Sequence, residues 1–363
     1  MRLYAAIMTE ETDVPETIAL KGIDKAQKQI DRLGDAVARA STMIQGMQGK
    51  SPATAYQCVF LAPEYFFSNQ RHADARFFSH DVKRVILGKL TALAKNYPDI
   101  LIIPGTILWT KNAYDAGRGQ QGQARPRLGG AREAVNKDAA RLQKVEDRRQ
   151  TAKQQFRTMI DGTPSVQEYG PGHPSGWGHS GAPYTSAEDL LKNRDAKIAQ
   201  NVAYVCLGET MLKYHKVGNY QEVIEEQELL LFAPGSITGR FAVGGVQYGL
   251  EICVDYKQGV LESSPDFKDV HVRLVVSATV DVGDSKSPLL LHSSTHTPEQ
   301  GFETHRVRMK TGSGVTTVSG LPKNPLKEGP LTVIALNLDE AKMGITDTSR
   351  VLSSAQLSPV KHA

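Results

Sequence analysis

Apolar positions recur along this chain in two rhythms. Residues 2–8 and 56–62 are nearly continuous apolar runs, as in strands covered on both faces. Between them Ile23, Ala26, Ile30, Leu33, Val37, Ala40, Ile44 and Met47 return every three or four positions and predict one apolar face of a long helix. Asp13 before Val14-Pro15-Glu16 marks the start of that helix, with a capping residue, a proline in the first turn and an early acid; Gly49 closes it. Val82, Val85, Ile86, Leu90, Leu93 and Ala94 predict a second amphipathic helix. Residues 99–109 predict a strand, bent or ended near Pro104-Gly105. Strand, helix, strand, helix, strand is the rhythm of an α/β layered fold.

Residues 112–195 break the rhythm. The composition shifts to Gly, Arg, Gln and Lys, and residues 118–157 hold eleven Lys/Arg against four Asp/Glu. Residues 131–160 carry a modest helical stripe, and 170–183 are rich in Gly, Pro, His and Ser around Trp177. This stretch is too poor in apolar residues for a core of its own. It therefore reads as a surface insertion within a single domain spanning 1–363: a lid, a protein-docking element or a solvated arm. The strand pattern resumes at 201–208 and 210–216, a hairpin around Gly208-Glu209, and again at 240–243 and 246–253, a hairpin around Gly244-Gly245 that ends on Cys253. Residues 272–280 and 331–338 are further buried strands.

Bulk properties narrow the function classes. The chain has 363 residues, 40% apolar and 23% charged, enough for a sizeable core. A net charge of +4 is too mild to argue for nucleic acid, and aromatics are scarce in the basic stretch. The start meets Glu10 and Glu11 before any long apolar run, unlike a secretory signal, and no run is long enough to span a membrane. Three well-separated cysteines, Cys58, Cys206 and Cys253, without a CxxC pattern, suggest neither zinc nor a disulfide framework and fit a cytoplasmic setting. Cys58 and Cys206 sit mid-strand and read as packing residues. His292, His296 and His305 lack a convincing third ligand, so no metal and no cofactor is expected.

Candidate chemistry lies at strand ends. Glu64 ends the run 56–62, where a buried carboxylate is costly unless paired or used. Cys253 ends the run 246–252, with Asp255 available as a cap and backbone anchor for a following helix. A cysteine there meets helix N-terminal N–H groups, which favour a thiolate. Glu251 alternates with Cys253 and is expected to share its face and line a pocket. Tyr65, Trp109, Tyr214 and Tyr256 are candidate pocket walls, as is Phe66.

Three short motifs now stand in a fixed order: Leu61-Ala62-Pro63-Glu64, Leu212-Lys213-Tyr214-His215 and Gly249-Leu250-Glu251-Ile252-Cys253-Val254-Asp255. Together they resemble the apolar-Pro-Glu, Lys-x-His and Gly-x-x-Ile-Cys-x-Asp motifs of the nitrilase, or carbon–nitrogen hydrolase, superfamily. Asn201 and Pro234-Gly235 also stand where that family tends to have them. The resemblance covers 2–110 and 198–340. It implies an α-β-β-α sandwich, commonly a homodimer or higher homo-oligomer, and a Glu64, Lys213, Cys253 triad, with Lys216 the rival lysine. Glu222, in a stretch similar to the β-ureidopropionase-like branch, is implied as a second carboxylate, with Glu225, Glu226 and Glu228 nearby. The chemistry implied is attack of the thiolate on an amide or carbamoyl carbon of a small molecule, through a thioester, with the Val254 N–H as a donor to the oxyanion. Nitrile hydrolysis or acyl transfer by the same triad is the alternative within enzymes. A non-catalytic interaction protein, docking through 112–195, is the alternative outside them.

Overall fold

The computed structural model describes residues 1–11, 14–50, 56–69, 76–112, 197–218, 230–232, 235, 238–264, 267–278, 280, 282, 287–295, 307–311, 314–317, 326–338, 343–347, 349–354 and 357–360. The insertion, the cap at Asp13, Glu222 with its neighbouring glutamates, Trp177, His296 and His305 lie outside the described residues.

Two sheets carry the fold. The first runs β15 (Leu326–Glu328), β16 (Leu331–Asn337), β1 (Arg2–Met8), β2 (Tyr56–Leu61), β4 (Ile100–Ile103), β6 (Lys197–Leu207), β5 (Thr106–Asn112) and β3 (Phe78–Ser79). β7 (Thr210–His215) and β8 (Leu230–Phe232) also pair with β6, and β18 (Ser358–Pro359) pairs with β7. The second runs β14 (Gly314–Thr317), β13 (Val307–Thr311), β12 (Leu289–Ser294), β11 (Val272–Ser277), β10 (Val246–Ile252), β9 (Gly239–Val243) and β17 (Leu352–Ser353). β1, β2 and β4 are mutually parallel, as are β10, β11 and β12. Parallel strands need cover on both faces, which is why these runs are apolar almost throughout.

The inner faces of the two sheets meet in one core. Leu3, Ala5 and Ile7 of β1, Val59 and Leu61 of β2, and Leu212 and Tyr214 of β7 pack there with Tyr248, Leu250 and Ile252 of β10 and Val272, Leu274 and Val276 of β11. The alternate residues of the first sheet, among them Tyr4, Ala6, Phe60, Ile102 and Trp109, pack on the apolar stripes of α2 (Gly22–Lys50) and α3 (His80–Asn96). Period two in the strands and 3.6 in the helices thus meet across one layer boundary. The outer face of the second sheet carries, among the described residues, only the short α4 (Val254–Lys257) and a 3-10 turn, Phe267–Asp269. Helix, sheet and sheet of the expected α-β-β-α sandwich are thus in place, with α4 and this turn beyond the second sheet among the described residues.

The first helix is not continuous. α1 (Pro15–Ile18) stops before α2, because Gly22 adopts φ +55° and its N–H is taken by Asn69 Oδ1 at 2.6 Å. β12, β13 and β14 were not expected as strands. All six residues of β12 are buried although half are polar, so no alternation marks them.

Candidate active site

The site forms where β2, β7, β10 and β11 run out. β10 sends Tyr248, Leu250 and Ile252 into the inter-sheet core, and Glu251 to the other face. Strict alternation would put residue 253 beside Glu251. Cys253 instead adopts φ 49°, ψ −106°, a left-handed conformation strained for any residue with a Cβ. That turn returns its side chain to the inter-sheet core, where it is buried. Val276 O accepts the Cys253 N–H at 2.8 Å, and α4 begins at the next residue. The Val254 N–H is therefore one of the helix's first N–H groups, which have no intrahelical acceptor.

Glu64 lies three residues past β2. Tyr65 is the other non-glycine residue in the left-handed region among those described, with φ 59°, and its N–H is fixed by Thr106 Oγ1 at 3.0 Å. This kink turns Glu64 inward. Its carboxylate is fully buried and meets three donors: Lys216 Nζ at 2.7 Å, Asn201 Nδ2 at 3.0 Å and the Ala278 N–H at 3.2 Å. The Glu64 carboxylate and the Ala278 N–H both act on the buried Cys253 thiol. Burial, then the Glu64 charge, pushes the thiol pKa up, while the Lys216 ammonium and the Ala278 N–H pull it down. The resting group is a protonated thiol beside a carboxylate that can receive the proton.

The lysine that completes this cluster is Lys216, not Lys213. In β7, Leu212 and Tyr214 face the inter-sheet core and Met211 faces the helices. Lys213 shares the parity of Met211 and points away from Cys253. Lys216 shares the parity of Leu212 and Tyr214, and is fully buried. Its backbone is held from both sides: its N–H donates to Asn201 O at 2.9 Å and its carbonyl accepts the Gly235 N–H at 2.8 Å. A Cβ at Gly235 would come within 2.2 Å of His215 O, so this clamp requires glycine.

Asp255 anchors the loop that follows. Its carboxylate accepts the N–H of Val217 at 3.1 Å, the N–H of Gly218 at 2.7 Å and the hydroxyl of Tyr214 at 2.7 Å. The residue two past Cys253 is thus tied to the two that follow Lys216. Burial raises its pKa to about 7, against the Lys216 charge and these hydrogen bonds. The sequence expectation of a backbone anchor matches this arrangement, although the anchored backbone is the Lys216 loop rather than the helix start.

The other expected pocket residues divide. Tyr65 stands at the site, with Lys216 Nζ 5.7 Å from its ring centroid and Arg76 at 4.8 Å on it. Tyr214 supports the site from below through Asp255. Glu251 does not line a pocket with Cys253. The left-handed turn breaks the alternation between them, and Glu251 is buried against Arg273 Nε at 2.6 Å and the Leu261 N–H at 2.9 Å. Tyr256 lies under the Arg273 guanidinium at 4.2 Å on that same outer face. Trp109 lies on the helix side of the first sheet, under Lys83 at 4.0 Å. Cys58 and Cys206 are buried mid-strand, and burial pushes both thiols up to about 12.

Asn201, already singled out by the resemblance, and Ala278, which was not, complete the site. Asn201 carries a signal, an amide at the head of the apolar run 202–207 of β6. Ala278 acts through its backbone and has none. His292 lies on β12 and bonds Ser277 Oγ at 2.7 Å, and no group of three His, Cys, Asp or Glu suited to a metal occurs among the described residues.

Neither a family model nor a curated protein matches the chain. Among solved structures it is similar to an amidase from Nesterenkonia sp., at 16% identity over 93% of this chain and 90% of that one, with a TM-score of 0.38. It is also similar to Nit3 of Saccharomyces cerevisiae, a member of branch 10 of the nitrilase superfamily, at 12% identity over 94% and 92%, with a TM-score of 0.41. These values are too low to assign an activity to this chain.

Proposed function

We propose that the chain is a cysteine hydrolase of a non-peptide carbon–nitrogen bond, an amide or carbamoyl amide of a small molecule, of the nitrilase type. The observation that carries this is the buried meeting of a strained cysteine with a carboxylate–ammonium pair. A buried pair costs desolvation and needs excellent geometry. Here it has that geometry, and a nucleophile beside it.

Glu64 takes the thiol proton as the sulfur attacks the carbonyl carbon. The C=O π electrons move to oxygen, where Lys216 and the Val254 N–H stabilise the charge. When the tetrahedral species collapses, the C–N bond breaks and Glu64 returns its proton to the departing amine or ammonia. Glu64 then deprotonates water, which attacks the thioester; the sulfur leaves and regains a proton. Asn201 and the Ala278 N–H hold the Glu64 carboxylate throughout. Residues 1–363 act in this reading as one hydrolase unit interrupted at 112–195, and Glu222 remains its second carboxylate.

Intact mass after exposure to amides, ureido acids and nitriles tests the reading. A covalent acyl adduct on the wild type and none on Cys253→Ala, with ammonia or amine released, is expected. An adduct that persists on Cys253→Ala overturns it.

A further inference from the structure

The outer face of the first sheet gathers positive charge around one tryptophan. Trp109 and Lys111 are two apart on β5 and share that face; Lys213, paired with Tyr204, lies on the same side. The first turn of α3 crosses above them. Lys83 Nζ sits 4.0 Å from the Trp109 ring centroid and Lys111 Nζ 5.7 Å from it, and the His80 ring stands 5.4 Å away. Trp109 is 4% exposed, and its buried Nε1–H meets no acceptor among the described residues. A buried N–H of that kind calls for a partner. No ion pair among the described residues involves Lys83, Arg84 or Lys213. Asp81, on the same helical turn, acts on His80. The α3 N-terminus adds its own partial positive charge.

We propose that this face binds a phosphate-class oxyanion between Lys83 and Lys213, with Trp109 Nε1 as a neutral donor. Crowded like charges at a half-buried position are costly without an anion. Lys83 shows that cost: burial first, then Lys213, Lys111 and Arg84, bring its pKa down to about 8. Lysines act as compact point charges and suit a small, multiply charged anion. The site is separated from Cys253 by the thickness of the first sheet, so it stands independently of the proposed hydrolysis.

Trp109 fluorescence in a Trp177→Phe background tests this. Inorganic phosphate, glycerol phosphate, acetate and chloride are titrated at constant ionic strength. A saturable change is expected with phosphate or its monoester, and not with acetate or chloride. A tighter monoester identifies a phosphorylated small molecule as the ligand class; equal affinity identifies the free anion. Lys83→Gln with Lys213→Gln is expected to weaken binding by about tenfold per lysine removed. Lys89→Gln, an exposed charge on the same helix, is expected to retain it. A response that does not saturate, matches chloride, or survives the double substitution overturns the site.

Discussion

Two ion pairs are fully buried among the described residues, and their surroundings differ. Lys216–Glu64 at 2.7 Å lies between the sheets; Arg273–Glu251 at 2.6 Å lies on the outer face of the second. Both side chains of each pair are 0% exposed. The outer pair is closed in by structural groups: the Leu261 N–H and Glu262 on its edges, and the rings of Tyr256 and Phe267 against the guanidinium. None of these is a thiol. The inner pair acts on a buried thiol carried on a strained backbone. Burial of a charge pair is thus not a functional signal by itself; a nucleophile held beside it is.

The largest expected effects fall on the inner pair. Lys216→Met should lower acyl-enzyme formation by about 10²–10³-fold, the scale of losing an oxyanion stabiliser. Glu64→Gln should lower it by about 10²–10⁴-fold through loss of the general base. Rapid-quench mass spectrometry on folded protein measures both. Arg273→Met, with fold retained, should leave the chemical step near wild type, and a loss like that of Lys216→Met would erase the distinction between the pairs.

On the outer pair the effect should appear in stability. Arg273→Met leaves Glu251 buried alone and should cost about 3–5 kcal/mol in urea unfolding. Adding Glu251→Leu should restore much of it, since an apolar replacement of a whole pair is often neutral. If the double variant stays as unstable as the single, the pair contributes more than its own charge balance.

Which of these features were legible in the chain follows from how local their signals are. Glu64 and Cys253 stand out because each ends an apolar run, and that needs only a few residues to see. The choice between Lys213 and Lys216 needs the facing of β7, and both of its faces are apolar, so alternation has no polar side to indicate. Glu251 was expected beside Cys253 because period two was carried through residue 253, where φ 49° breaks it. Trp109 was expected in the pocket, but the facing of β5 becomes visible only once α3 is seen to cover it. The central strands are legible because they are covered on both faces. β12 is not, because its polar half is buried by tertiary partners such as Ser277 and the Met8 carbonyl.

Asp255 gives a smaller effect with a definite sign. Its carboxyl is raised from 3.8 to about 7 in the folded protein. Between those values the native state holds a proton that the unfolded chain has released. The stability it contributes is therefore complete below pH 3.8 and is lost as pH rises to about 7. The span corresponds to about 4 kcal/mol at most. Asp255→Asn keeps an oxygen for Val217 and Gly218, and should remove this decline from the unfolding free energy measured across that window. A variant whose pH curve parallels the wild type would show that the decline does not come from Asp255.

The smallest effect separates the two regions most finely. The Ala278 carbonyl accepts the hydroxyls of Ser294 at 2.8 Å and Thr295 at 2.9 Å, which fixes the peptide that follows the residue whose N–H meets Glu64. Thr295→Val removes one of these bonds and should cost about 1 kcal/mol of stability. Glu262→Gln removes a partly exposed charge beside the outer pair and should cost a similar or smaller amount, about 0–1 kcal/mol. The two substitutions should differ in chemistry. Loosening Ala278 loosens a donor shared by Glu64 and the thiol, so the acylation rate of Thr295→Val should fall several-fold and its pH profile should move. Glu262→Gln should change neither. Equal pH profiles in the two variants would mean that Ala278 only closes the chain around the site and does not tune it.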